Sequence, residues 1–329
     1  ASDYATLANE ARVVSNMDPL YSPTELEIIK NQLDPDLYPN VNWQDVILKD
    51  YTFNHQHYMN ISGGGKAARY FVSVGGTFKD AIFNQDKVNK YNTNVRWAQY
   101  NFRGKVDMNL TPSTIMGLAL DGVIVDSRGP GYGSDNSSLW ASQANLTPLT
   151  VPLRYSNGQL AAYGNTGENI SPYVLLNHMG YKKSNRTTLN INLTLRQDFD
   201  KWIKGLSARG MFSYYNNNTH DTTRQKNPDL YKAIGRANDG SLMTQHTVQA
   251  SNLSFGTAAG AQRRYYFEGQ VTYDRIFNEV HRVGGLLHYY MQSSETTLAT
   301  DEISSIPERY QALSSRLTYS YKDTYFVEG

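Results

Sequence analysis

Between Tyr100 and Val125 the side chains alternate in character with a period of two, and few architectures accommodate that over such a length. Tyr100, Phe102, Gly104, Val106, Met108 and Leu110 fall on one side of an extended chain, while Asn101, Arg103, Lys105, Asp107 and Asn109 fall on the other. A strand with one apolar and one wet face has this pattern, since successive side chains point to opposite faces. Thr111, Pro112, Ser113 and Thr114 form a tight turn, Pro fixing its backbone angle and the hydroxyls bonding the local backbone. The alternation then resumes with Met116, Leu118, Leu120, Gly122 and Ile124 as the apolar set. The result is a hairpin of long strands, and a tilted strand of about 9 to 11 residues crosses a bilayer. Because the second face is charged, it is expected to look into water.

The same pattern recurs along the chain. Strands are expected over residues 51–62, 67–79, 97–110, 114–127, 185–198, 205–217, 262–277, 281–294, 308–321 and 324–329. Their connections alternate between short turns (63–66, 111–114, 199–205, 278–281 and 321–324) and long ones of roughly 17, 57, 44 and 13 residues. An up-and-down outer-membrane barrel sorts its connections this way, with short turns facing the periplasm and long loops facing outside. A soluble sandwich has no reason to do so. The expected fold class is therefore all-β, an antiparallel up-and-down transmembrane barrel fragment.

Residues 1–50 are the helical exception. Asp3 is expected to cap a first helix ending near Asn16, Ser22 and Glu25 form a capping box around Pro23, and 42–49 hold a further short helix. Loop parity puts this segment on the extracellular side and expects one strand before Ala1. The chain then reads as a piece of a longer protein. Inside the long loops, Ser156, Asn157 and Gly158 turn a small hairpin and Asn238, Asp239 and Gly240 turn another, so loops 128–184 and 218–261 are expected to fold over the barrel mouth.

Composition narrows the field. A net charge of +1 with scattered Lys and Arg gives no reason to expect nucleic acid, and zero Cys removes disulfides and Cys-based zinc sites. Mean hydropathy of −0.56, with no run long enough for a transmembrane helix, excludes helical membrane proteins but not barrels, whose strands carry polar residues at alternate positions. No GxSxG, HExxH or phosphate-cradling glycine loop is present, so the chain is not expected to be an enzyme. No cofactor or metal is expected either.

The run DPDLYPNVNWQDVILKDYTFNHQHYMNISGGGKAARYFVSVGGTFKDAIFNQDKVNKYNTN resembles the SusC/RagA family of TonB-dependent outer-membrane transporters of Bacteroidetes. YGNTGENISPYVLLNHMGYKK, KNPDLYKAIGRANDG and LSSRLTYSYKDTYFVEG are similar to the same family in the same order. The resemblance implies a 22-stranded barrel around a plug, of which residues 51–329 would hold about ten strands and residues 1–50 an extracellular connecting segment. It implies as partners a SusD-like surface lipoprotein acting as lid, TonB acting through the plug region, outer-membrane lipid, and a glycan, oligosaccharide or peptide as cargo. Plug, TonB box and the C-terminal half of the barrel would lie outside this chain.

Within that frame the candidate residues sort by position. Arg103, Lys105, Asp107, Asn190, Asn192, Arg196, Glu268 and Asp274 fall on wet faces and are expected to line the lumen. Tyr132, Trp140, Tyr155 and Tyr173 in the largest loop are the candidate extracellular ligand contacts, because sugar rings and peptide side chains pack on exposed aromatic faces. Tyr70, Tyr100, Tyr265, Tyr273, Tyr319 and Tyr321 sit near strand ends, where barrels place interfacial girdles. His55 and His57 share a face at a spacing that can chelate, with interfacial packing the plainer reading; Asp126, Asp135 and Asp239 are read as turn aspartates rather than calcium ligands. Two rival folds remain. A self-contained ten-stranded barrel, an outer-membrane pore or enzyme, requires pairing between residues near 51 and residues near 324. A soluble carbohydrate-binding β protein requires the apolar faces of 100–110 and 185–195 to be buried in one core.

Overall fold

The computed structural model describes residues 1–86, 88–89, 91–132 and 137–329, with side chains described at all of these except 137 and 138. Three helices come first: α1 (Ser2–Val14), α2 (Pro23–Asn31) and α3 (Trp43–Ile47). Helix α2 starts where the capping box puts it, the Ser22 side chain accepting from the Glu25 N–H and the Glu25 carboxylate accepting from the Ser22 N–H. Helix α1 starts earlier than expected, with Ala1 as its N-cap, so Asp3 lies in the first turn and serves the positive end of the helix dipole instead of capping it.

From there the chain is strands. They are β1 (Asn54–Gly64), β2 (Ala68–Asp80), β3 (Arg96–Thr111), β4 (Thr114–Pro130), the short β5 (Ala162–Tyr163) and β6 (Asn169–Ile170), β7 (Gly180–Asp198), β8 (Leu206–Gln225), β9 (Leu230–Arg236), β10 (Leu242–Val248), β11 (Gly256–Phe277), β12 (His281–Thr296), β13 (Glu308–Tyr321) and β14 (Tyr325–Glu328). Further helices α4 (Ser137–Ala144), α5 (Pro172–His178) and α6 (Glu302–Ser305) lie in the long connections. Ten strands form one antiparallel sheet in the order β1-β2-β3-β4-β7-β8-β11-β12-β13-β14, each beside the next large strand of the chain.

Because paired residues share a face, the register carries one side-chain row across the sheet. Tyr70 opposes Val106, Val106 opposes Leu118, Leu118 opposes Leu193, Leu193 opposes Phe212, and Phe267 then Met291 complete the row. One residue along, the row reads Asp107, Gly117, Thr194, Met211, Glu268 and Tyr290. In this band one face is thus apolar, and the charged side chains fall on the other. The only shift in the β3–β4 ladder falls between Asn109 and Thr111, beside the Pro112 turn.

Both rival folds fail on this geometry. The sheet is open, with β1 and β14 at opposite edges, so the ring that a ten-stranded barrel needs is not formed. Nor is the apolar face buried: Leu118, Leu193, Phe212 and Phe267 keep 41–42% of their surface exposed, which water would not favour but hydrocarbon does.

Several strands run well past their expected ends, always at the long-connection end. Strand β8 reaches Gln225 and β11 starts at Gly256, and the segment between them folds into the β9–β10 hairpin around the Asn238–Gly240 turn, Gly240 adopting φ 82°. The Ser156–Gly158 turn closes only a single bridge, Arg154 to Leu160. At about 3.3 Å per residue a 20-residue strand is roughly 65 Å long, about twice a bilayer core.

The compact apolar core lies in the long connections. Trp43, Ile47, Phe83, Leu139, Val151, Tyr155, Ala161, Val174, Leu176, Met179 and Leu230 form a single buried cluster. It joins the end of the helical segment, the β2–β3 connection, the β4–β7 connection and the β8–β11 connection into one cap. In the bilayer, Leu193→Arg on the apolar face is expected to cost about 2–4 kcal/mol, while Asn192→Arg on the opposite face costs little. Urea unfolding of the full-length protein in lipid vesicles measures the difference.

Candidate functional site

The cap is where the chain concentrates buried side chains, and α5 is its centre. Ser171 caps the helix by accepting from the Val174 N–H at 3.4 Å, Pro172 occupies the first turn, and all seven helical residues are buried. Asn177 bonds in two directions, its Nδ2 donating to the Tyr173 carbonyl at 3.0 Å and its Oδ1 accepting from the Asp86 N–H at 2.9 Å. The helix leads directly into β7 through Gly180 at φ 92°, where a Cβ would sit 2.0 Å from the Arg224 carbonyl oxygen; only glycine fits.

Beside α5 lies a polar cluster that sequence reasoning did not foresee. Tyr173 donates to Asp86 at 2.7 Å and accepts from Arg154 at 3.4 Å, and the Arg154 guanidinium also lies 3.4 Å from Nε2 of His178. Burial holds the His178 pKa down to about 4, helped by the nearby Arg154 and Lys226 charges, so its imidazole is neutral at pH 7 and accepts from Arg154. Burial likewise pushes the Tyr173 hydroxyl above its usual range. These groups position α5: the buried Tyr173 and His178 are neutral, and the exposed, charged Arg154 and Asp86 hold them from outside.

A second unforeseen cluster ties the N-terminal segment to the cap. Arg236, at the end of β9, donates from Nε and Nη2 to the two Asp34 oxygens at 2.6 Å each, and from Nη2 to Asp36 at 3.0 Å. Asp36 is 5% exposed and accepts further from the Ser156 N–H at 2.7 Å and the Ser156 hydroxyl at 2.6 Å. The Arg236 guanidinium holds the Asp34 carboxyl below the usual carboxylate range. The Asp-Pro-Asp turn and its partner lie 200 residues apart, so no local pattern announces them.

Of the four loop aromatics, the structure sets two inside and two outside. Tyr155 and Tyr173 are each 5% exposed, the former with its hydroxyl accepting from the Ala233 N–H at 2.9 Å. Tyr132 and Trp140 are 41% and 44% exposed, and Trp140 packs its ring 5.4 Å from Phe83. Of the calcium-loop aspartates, Asp239 accepts from Ser241 at 2.6 Å as a turn residue, Asp126 is exposed on β4, and Asp135 lies outside the described residues.

The eight polar strand residues share the face opposite the apolar row. Arg103 pairs with Asp121, Lys105 with Asp107 at 3.1 Å, and Glu268 meets Arg209 at 3.8 Å and His288 at 3.7 Å. Asp274 takes both arms of Arg282, at 2.9 and 2.6 Å. Asn190 accepts from Ser213 at 3.2 Å, with Asn192 and Arg196 further along the same strand and face. On the apolar face Phe53, His55 and His57 stack as a column with ring separations of 6.3 and 6.5 Å.

The cap is expected to loosen with acid. His178 is depressed on folding, so the unfolded chain binds the extra proton; its contribution is complete above about 6.5 and is lost as pH falls toward about 4. Asp34, also depressed, withdraws its contribution only below the usual carboxylate range. Proteolysis of the loops should therefore accelerate once as pH falls from about 6.5 to about 4 and again only at lower pH, and His178→Gln should remove the first stage.

No model of a described protein family matches the chain. The TonB-dependent receptor P26 of Formosa agariphila is 21% identical over 324 residues, covering 89% of this chain and 29% of the receptor. Among solved structures, the RagAB peptide importer in its open-open state aligns with 98% of this chain and 38% of its own at a TM-score of 0.63 and 16% identity. Another RagAB peptide transporter structure aligns with 88% of this chain and 32% of its own, at a TM-score of 0.60 and 17% identity. The chain therefore spans about a third of the length of the proteins it matches. By fold, the chain is a ten-strand stretch of an antiparallel sheet like that of the RagAB barrel structures, and in sequence it is similar to part of a TonB-dependent receptor.

Proposed function

We propose that this chain forms part of the wall and the extracellular loops of a TonB-dependent importer that works with a SusD-like surface lipoprotein. The observation that carries the reading is the combination of an open ten-strand meander with a cap whose core joins three long connections and the helical segment. A passive pore needs no such folded mouth. In this reading residues 1–50 are an extracellular connecting segment and residues 51–329 a partial barrel. The cargo is a glycan, an oligosaccharide or a peptide, the last supported by the likeness to the RagAB peptide importer.

Division of labour follows from position. Tyr132 and Trp140 present ring faces at the mouth and contact cargo or lid; Tyr155 and Tyr173 act beneath them, holding the loops that carry them. Arg103, Lys105, Asp107, Asn190, Asn192, Arg196, Glu268 and Asp274 line the lumen, where their ion pairs offer a plug a polar, exchangeable contact surface. TonB, acting through a plug, would open the path past them.

Whole-cell uptake of labelled oligosaccharide and peptide pools tests the reading. Uptake of one pool is expected to fall to background when a protonophore collapses the inner-membrane gradient or when the partner lipoprotein is deleted. Uptake that persists under the protonophore contradicts it. Replacing Tyr132 and Trp140 by Ala together should weaken cargo capture roughly tenfold without changing the amount of barrel in the membrane.

A further inference from the structure

Above the apolar band, on its extracellular side, the same face turns polar and then carries a basic row. The register places Asp80 opposite Arg96, Arg96 opposite Arg128, Arg128 opposite Lys183, and Lys183 opposite Thr222, one row on five adjacent strands. Counting down each strand from this row in steps of two gives Ala98, Tyr100 and Phe102 on β3, Asp126, Ile124 and Gly122 on β4, and Asn185, Thr187 and Leu189 on β7. The three cations therefore sit on the lipid-side face. They lie one row, about 7 Å, above Phe78 and Ala98, and two rows above Tyr100 and Ile124.

Like charges set directly opposite on neighbouring strands repel. Neighbouring strands are about 4.8 Å apart, so three such side chains occupy a span of roughly 10 Å. Among the described residues none of Arg96, Arg128 and Lys183 forms an ion pair within 4.0 Å; Lys183 lies only over the Tyr181 ring, at 5.6 Å. Their neighbours on the polar face behave otherwise, Lys182 pairing with Asp221 at 3.1 Å. Arg96 and Arg128 line a cavity of about 330 Å³ together with Asn92, Asn94, Val95 and Asp80. Asp80 belongs to the row and Asp126 lies one row below it, and among the described residues neither forms an ion pair with the three cations. Arg224, one row higher on the same face, is already stacked over Phe255 at 4.3 Å.

We propose that this row is a binding site for the phosphate of an outer-leaflet lipid. A phosphate between Arg96, Arg128 and Lys183 would accept charge-assisted hydrogen bonds from two guanidinium forks and an ammonium, relieving the repulsion, while Asn92 and Asn94 supply amide donors. The acyl chains of the same molecule would descend along Ile124, Leu120 and Leu118 on β4 and Leu189, Ile191 and Leu193 on β7. That continuity selects a lipid over a soluble anion, and basic pockets at membrane interfaces take lipid headgroups for the same reason. The site lies at the edge of the cap, where Asn92, Asn94 and Val95 end the β2–β3 connection, and on the face opposite the polar one.

Binding of fluorescent lipopolysaccharide to the full-length protein in detergent tests the proposal, with enzymatically dephosphorylated lipopolysaccharide and millimolar inorganic phosphate as comparison probes. Dephosphorylation is expected to weaken binding roughly tenfold or more, and the combined R96Q, R128Q and K183Q variant should show the same loss. Lys182→Gln on the opposite face should bind as the unaltered protein does, and inorganic phosphate should not displace the lipid. Equal binding of the dephosphorylated lipid, or unchanged binding by the triple variant, overturns the proposal. Full displacement by inorganic phosphate also overturns it, in favour of a soluble-anion site. Should the triple variant fail to fold, Lys183→Gln alone, at an exposed side chain, must still lower affinity several-fold; unchanged affinity contradicts the proposal.

Discussion

Every part of this molecule depends on one ladder of backbone hydrogen bonds that has to remain unbroken where no water can replace it. In hydrocarbon an unpaired N–H or C=O costs several kcal/mol, so strands can cross only if each is bonded on both sides. The ladder also decides chemistry, because a strand's side-chain period is two and a slip of one residue exchanges its faces. A single-residue slip of β3 would carry Arg103, Lys105 and Asp107 into lipid and withdraw Val106 and Met108 from it. The continuous register across the sheet is thus the device that separates the apolar row from the paired charges. The irregularity between Asn109 and Thr111 is tolerated because it falls at the turn, outside the apolar band.

A sheet that gives one face to lipid and the other to a lumen builds no core between its own layers. The conventional hydrophobic core is displaced into the loops, where α5 and the residues around it bury completely. Two polar clusters then fix what apolar packing alone would leave free to slide. Arg154, Tyr173, Asp86 and His178 anchor α5 against the β2–β3 connection, and Arg236 clamps Asp34 and Asp36 across the chain. The exposed rings of Tyr132 and Trp140 are carried by this scaffold, so their placement is set by the buried residues beneath them.

How much of this was legible in the sequence followed the physics of each region. The ten strands and their order could be read wherever one face meets lipid, since there the alternation of side chains is forced. Beyond the bilayer both faces of β8 are wet, so Asn218, Thr219 and His220 read as loop although their backbone is fully paired. Local signals also survived: Ser22 with Glu25, Asn42 before α3, and Gly240 at its turn. What could not be read was the cap, because many of its contacts join segments 78 to 200 residues apart. Tyr155 and Tyr173 looked like Tyr132 and Trp140 in sequence, and only the packing around α5 separates the buried pair from the exposed one. Asp3 misled for a simpler reason, since its helix begins two residues sooner.

The account stands or falls on which face meets lipid. Spin labels placed singly at Leu118, Leu193, Lys105 and Asn192 of the full-length protein in bilayers can be compared for collision with oxygen, which concentrates in hydrocarbon, and with a water-soluble nickel complex. Labels at Leu118 and Leu193 should be relaxed mainly by oxygen and those at Lys105 and Asn192 mainly by nickel, alternating along each strand. Equal relaxation by nickel at all four positions, or the reverse assignment, would contradict it.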